Sequence, residues 1–286
     1  MTRFLIVAVL IASLGWVVTR DSSGWPAEGQ AAVAVDGAGT QVKGERTPVP
    51  IASLTKVMTA YVILERHPLK AGQDGPVITI DATAAAESSS SDESTVQVSE
   101  GQRFTERQML QLMLIPSGNN IARMLARWDA GTQQAFAAKM NRAADQLGMD
   151  DTTYTGASGY EDSTTSTAAD QLALTRAAMK SQVLRDIVAT RELTVPGISR
   201  TITNTNTLLG KQGVIGLKTG SSTAAGGNLM WAARTQGRLV LGVVLHQRAG
   251  SPPAVGLRAA LDSSATLIAA VTRHVNIDLR PGERRP

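Results

Sequence analysis

The chain alternates between stretches of two-residue and helical apolar periodicity. From Gln30, the apolar run Ala31-Ala32-Val33-Ala34-Val35 is followed by Asp36-Gly37-Ala38-Gly39 and a second extended stretch, a hairpin pattern. Leu54, Val57, Met58, Tyr61, Val62 and Leu64 then recur at helical spacing. Residues 71–104 are polar and mixed, and Ser88-Ser89-Ser90-Ser91-Asp92 reads as a solvated loop. Thr105 and Gln108 form a capping box for an apolar helix. Pro116 stops that helix near Ile115, because proline disfavours α geometry in the residue before it. The turn Ser117-Gly118-Asn119-Asn120 leads into another helix from Ile121, and further amphipathic helices fit 132–147 and 168–179. A strand over 213–222 precedes two strands joined near 235–238, and an amphipathic helix over 254–275 closes the pattern. Strands at both ends with helices between predict an α+β fold: one antiparallel sheet covered by helices, with a helical lobe inserted.

At the N-terminus, Arg3 precedes an unbroken apolar run over 4–18. The run fits the apolar region of an export signal and is short for a helix crossing ~30 Å of hydrocarbon. Residues 1–27 are read as an export signal or N-terminal membrane anchor. That reading places 28–275, as one domain, outside the cytoplasm in the periplasm, the cell wall or the medium. The polar residues 276–286 read as a flexible tail.

Composition narrows the chemistry. The 286 residues carry a net charge of only +4, with four Trp, three Tyr and three Phe. Nucleic-acid binding would want a concentrated basic stripe and stacking side chains, and neither is visible. The absence of cysteine excludes thiol catalysis and cysteine-ligated zinc or iron–sulfur sites. His67, His246 and His274 are the three histidines, too scattered for a metal site or an obvious catalytic triad. Any catalysis would rest on Ser, Lys, Asp or Glu.

Three short elements supply such groups. Ser53-Leu54-Thr55-Lys56 lies at the start of a helix, where positions i and i+3 share a face and the lysine amine can approach the serine hydroxyl. Lysine can act as the base only if burial or a nearby cation lowers its pKa from ~10.4. A helix start also points free N–H groups at any oxyanion formed there. Ser117-Gly118-Asn119 projects a hydroxyl and an amide from the turn after a proline stop. Lys218-Thr219-Gly220 lies on a strand, with Lys218 and Gly220 on one face and Thr219 on the other. A cation beside a hydroxyl suits a carboxylate, and Gly220 leaves room for close backbone approach. Each has an ordinary alternative: an N-cap serine, a helix cap, a surface strand end. Only the set in this order is specific.

Ser-x-x-Lys, Ser-x-Asn and Lys-Thr-Gly in sequence is the motif set of penicillin-recognising serine enzymes. The surrounding segments PIASLTKVMTAYVILE, LMLIPSGNNIARMLA, TGASGYEDSTTSTAADQLAL and GVIGLKTGSSTAAGGNLMWAA resemble the D-alanyl-D-alanine carboxypeptidase family from about Ala31 to His246. The resemblance implies a β-lactamase/DD-peptidase-like fold and a hydrolase that removes the terminal D-alanine from peptidoglycan stem pentapeptides and is acylated by β-lactams, with no metal or cofactor. It implies Ser53 as nucleophile, Lys56 as general base and Ser117 as proton carrier to the leaving group. Asn119, Lys218, Thr219 and Gly220 would bind substrate, and the backbone N–H groups of Ser53 and Ser221 would form the oxyanion hole. Asn120 departs from the family's usual aspartate, a change expected to tune rather than abolish function. The alternatives are a β-lactamase and a non-catalytic cell-wall-binding homologue. Class A β-lactamases add a Glu-x-x-x-Asn segment, which neither Glu161 (followed at that spacing by Thr165) nor Glu192 (by Pro196) provides.

Overall fold

A computed structural model describes the backbone of residues 24–278 and the side chains through Val275. The apolar run over 4–18 and the residues after Asp278 lie outside the described residues. In chain order the elements are β1 (Gln30–Val35), β2 (Gly39–Lys43), β3 (Val49–Pro50), a 3₁₀ turn (Ala52–Leu54), α1 (Thr55–Arg66), β4 (Val77–Thr79), α2 (Ala82–Glu87), β5 (Arg103–Thr105), α3 (Glu106–Leu114) and α4 (Asn119–Ala130). There follow α5 (Gln133–Gln146), β6 (Thr165–Ser166), α6 (Ala168–Ala178), α7 (Gln182–Val188), β7 (Glu192–Leu193), β8 (Ile202–Thr203), β9 (Val214–Ser222), β10 (Gly226–Thr235), β11 (Arg238–Gln247) and α8 (Pro253–Asp278).

The main sheet has the order β2-β1-β11-β10-β9, so the N-terminal hairpin pairs with the last strand and closes the domain. All four pairings are antiparallel, with Val33 opposite Gly242 and Trp231 opposite Leu217. The alternation of the strands then sorts side chains into two cores. Ala32, Ala34, Met230, Ala232, Leu241 and Val243 join the core shared with α1, α3, α4 and α6. Ala31, Val33, Leu229, Trp231, Val240 and Val244 meet Ala260, Leu267, Ile268, Val271 and Val275 of α8 on the other face. The segment 253–275 is long and apolar enough to cross a membrane. In this fold its apolar stripe is instead spent on the sheet, as for an amphipathic core helix.

The predicted helices form where their caps stand. Thr105 and Gln108 make the capping box of α3, Thr132 caps α5 and Thr167 caps α6. The region 71–104 is more structured than its composition suggests. It contains α2, capped by Asp81, and a small β4–β5 pair. Helix α7, also unpredicted, is capped by Ser181 and buries Val183, Leu184 and Ile187.

Glu106, the first residue of α3, is fully buried, and neither carboxyl oxygen has a partner among the described residues. Burial raises its pKa from 4.5 to about 7. Between these values the folded chain holds a proton that the unfolded chain has lost, so stability falls as pH rises through that window. Glu106→Gln should therefore stabilise the protein by about 1–3 kcal/mol at pH 8 and change little near pH 4. Denaturant melts at the two pH values would check this, and equal gains at both would contradict it.

Candidate active site

The three motifs meet at one end of the main sheet. Ser53 sits in the 3₁₀ turn, and the turn continues into α1 so that Lys56 lies one helical step away. Lys56 Nζ is 2.8 Å from Ser53 Oγ, 2.5 Å from Asn119 Oδ1 and 2.7 Å from the Ser158 carbonyl oxygen. The amine is completely buried. Loss of hydration, then the Lys218 and Arg123 cations, push its pKa well below the ordinary lysine value, against weaker opposition from Glu93 and Glu161. The condition for a lysine base, unknowable from sequence, is thus met by packing.

Asn119 opens α4 just after the Pro116 break, and its backbone N–H donates to the Ser94 carbonyl. Its Nδ2 donates to Glu93 Oε2 at 2.6 Å. A carboxylate can only accept, so this bond fixes the amide with Oδ1 turned to Lys56. Ser117, two residues earlier, is buried and held at φ 68°, in the left-handed region. Ala52, immediately before the candidate nucleophile, has φ 46°. Two non-glycine residues in this sparsely populated region beside the reactive groups is the pattern of strain concentrated at a functional site.

Strand β9 brings the third motif. Lys218 is 1% exposed, with Nζ donating to the Thr219 carbonyl, and burial lowers its pKa to about 7. Thr219 Oγ1 lies 2.6 Å from Thr205 Oγ1, and the Thr205 N–H reaches the Ile115 carbonyl at the end of α3. Thr205 thereby ties the third motif to the second. Gly220 lies against the 3₁₀ turn so closely that a Cβ there would sit 2.9 Å from Ser53 N and 3.0 Å from the Ile51 carbonyl oxygen. Gly159, at φ +74°, approaches the other side of the turn, where a Cβ would sit 2.0 Å from the Ala52 carbonyl oxygen. Both positions admit only glycine at this backbone spacing.

Ser53, Asn119 and Ser221 open onto a cleft of about 590 Å³, walled by residues 91–94 on one side and by Gly159, Tyr160 and Ser222 on the other. The serine run is therefore not simply solvated loop: Ser91 and Asp92 face the cleft, while Ser88 is buried and bonded to the Ala85 and Val98 carbonyls. Asn120 is fully buried, accepting from Val96 N–H and donating to the Ala84 and Val96 carbonyls. An ionised aspartate could not make the two donations, so the amide suits this chain's own loop. Glu93, Arg123, Ser158 and Thr205 belong to the site but carried no signal of their own in the sequence. His246, next to last in β11, makes no bond to the three motifs among the described residues; its N–H donates to Asn228 Oδ1.

The fold and sequence are shared with known proteins. A family model described as D-alanyl-D-alanine carboxypeptidase matches residues 20–249. The chain is 32% identical over 234 residues to the D-alanyl-D-alanine carboxypeptidase of Streptomyces sp. strain K15, covering 73% of this chain and 77% of that protein. It is 34% identical over 203 residues to D-alanyl-D-alanine carboxypeptidase DacB2 of Mycobacterium tuberculosis, covering 69% and 66%. It spans about half the length of the Escherichia coli relatives DacA, DacC and DacD. The crystal structure of the Streptomyces K15 DD-transpeptidase superposes with a TM-score of 0.76 at 27% identity, covering 86% of this chain and 98% of that one. With the three motifs gathered at one end of the main sheet, the chain belongs to the D-alanyl-D-alanine carboxypeptidase family of serine hydrolases.

Proposed function

We propose that this chain cleaves the bond between the two terminal D-alanines of peptidoglycan stem pentapeptides, through an acyl-enzyme on Ser53, and that penicillins acylate the same hydroxyl. The observation that carries the assignment of roles is the set of three contacts at Lys56 Nζ. A neutral amine has two N–H donors and one lone pair. Asn119 Oδ1 and the Ser158 carbonyl can only accept, so they take the two donors. The lone pair then faces Ser53 Oγ and removes its proton as the oxygen attacks the substrate carbonyl.

The N–H groups of Ser53 and Ser221 hold the developing oxyanion. The C–N bond breaks, Ser117 delivers a proton to the departing amine, and D-alanine leaves. Water then hydrolyses the ester and restores Ser53. Lys218 and Thr219 hold the terminal carboxylate, Gly220 makes room for the turn that carries Ser53 against β9 rather than for substrate, and the second Nδ2 hydrogen of Asn119 is available to the substrate amide. No step calls on a metal or cofactor. The substrate class and the apolar N-terminal run support work outside the cytoplasm, with the domain over 28–275 exported or anchored by 1–27.

With penicillin the ester is expected to persist. Glu161 is turned onto Gly156, where a Cβ would lie 2.5 Å from Oε2, rather than held in a Glu-x-x-x-Asn segment. The test is release of D-alanine from a pentapeptide mimic by the purified chain, alongside labelling with a fluorescent penicillin. Release with a stable label is expected. Rapid β-lactam turnover would favour a β-lactamase, and absence of both release and label would favour a non-catalytic binding protein.

A further inference from the structure

Two charged residues outside the motifs stand directly behind the proton-transfer pair. Glu93 lies on the loop between α2 and β5, and Arg123 lies on α4 one turn beyond Asn119. Arg123 grips Glu93 with both terminal nitrogens, at 2.9 Å and 2.7 Å, while Glu93 Oε2 also accepts from Asn119. Both side chains are largely buried, at 9% and 10% exposure. A buried ion pair of this kind seldom adds net stability over apolar packing. Its geometry is better explained by what it touches.

We propose that the Glu93–Arg123 pair positions the Asn119 amide against Lys56 and balances the charge felt by the Lys56 amine, so that both members act on catalysis through Asn119 and Lys56. This rests on the reading that Lys56 takes the Ser53 proton. Asn119 could otherwise rotate and present Nδ2 to the amine; the Glu93 carboxylate forbids that, and Arg123 keeps the carboxylate in place. The charges that act on Lys56 come from four elements. Lys218 on β9 and Arg123 on α4 disfavour its proton, and Glu93 and Glu161 on two loops favour it. Within this set Glu93 and Arg123 offset one another, and removal of either one exposes the other.

The geometry is held by other bonds when one partner is lost. Arg123 Nε also donates to Glu87 Oε2 at 3.0 Å, and the loop is pinned by Asn120 to Val96 and by the Asn119 N–H to Ser94. Loss of the carboxylate therefore leaves a cation near Lys56, and loss of the guanidinium leaves an anion.

The test is the acid limb of kcat/KM for D-alanine release against pH, in the full chain. Glu93→Gln should move the limb down by about one pH unit, and Arg123→Leu should move it up by about one. The double variant should return close to wild type, and Arg123→Lys, which keeps the charge, should leave the limb near its wild-type position. A residue serving only the fold would lower activity without moving the limb in opposite directions. Shifts of the same sign, or none, would overturn the proposal. The limb is read in parallel from the rate of penicillin acylation, and the Lys56 pKa directly from the ¹³C chemical shift of its Cε. If wild type proves inactive in both assays, the reading of function fails, while opposite displacements of the Lys56 titration would still uphold the pair's charge balance and their absence would refute it.

Discussion

Ser53→Ala is expected to eliminate covalent capture of penicillin and to reduce D-alanine release to background. Intact-mass measurement after incubation with benzylpenicillin should show an adduct on the wild-type chain and none on the variant. The loss is expected to be total because Ser53 is the hydroxyl facing the buried amine from the cleft; Ser117 comes from the separate α3–α4 turn and has no base bonded to it among the described residues. The fold should survive. Lys56 would keep Asn119 Oδ1 and the Ser158 carbonyl as partners, and Ser53 Oγ makes no other bond among the described residues. A variant that melts like wild type yet still takes up penicillin would place the nucleophile elsewhere.

Lys56→Met should be nearly as damaging and differently informative. Methionine fills much of the same volume without an amine, so Ser53 keeps its place and loses its base. Removal of a general base typically costs about 10²–10⁴-fold in rate. The wild-type rate of penicillin acylation should fall as pH drops through the depressed Lys56 pKa, because a protonated lysine has no lone pair for the serine proton. In the variant that limb should vanish, leaving a slow rate that does not follow this titration. Stopped-flow acylation across pH measures both effects. A variant that kept the wild-type limb would show that another group titrates in the proton transfer.

Much of this protein is legible along the chain because the forces involved act over short distances. The capping box at Thr105, the Pro116 stop and the strand alternation around Trp231 are decided within one or two turns or a single hairpin. The same holds for the motifs: the three-residue offset from Ser53 to Lys56 puts both on one helical face whatever the rest of the chain does. The order of strands and helices also suffices to read the sheet and the inserted lobe. Local patterning misses α2 and α7 because each is a short helix stabilised by caps and by contacts from elsewhere, with too few turns to establish a period.

What only the tertiary structure decides is the state of the reactive groups. Lysine is ordinarily an exposed cation, and nothing in the residues around Lys56 or Lys218 announces that both will be buried. Burial lowers the pKa of both amines, and for Lys56 the charges of Lys218 and Arg123 lower it further. The partners that orient Lys56 stand 63 and 102 residues away in the chain, and Glu93 and Arg123 are joined across 30. Such contacts depend on where whole elements pack, and no local period encodes them. The sequence by itself determined which groups were on hand and in what order; the folded chain determined which of them met, how dry the meeting place was, and therefore which proton could move.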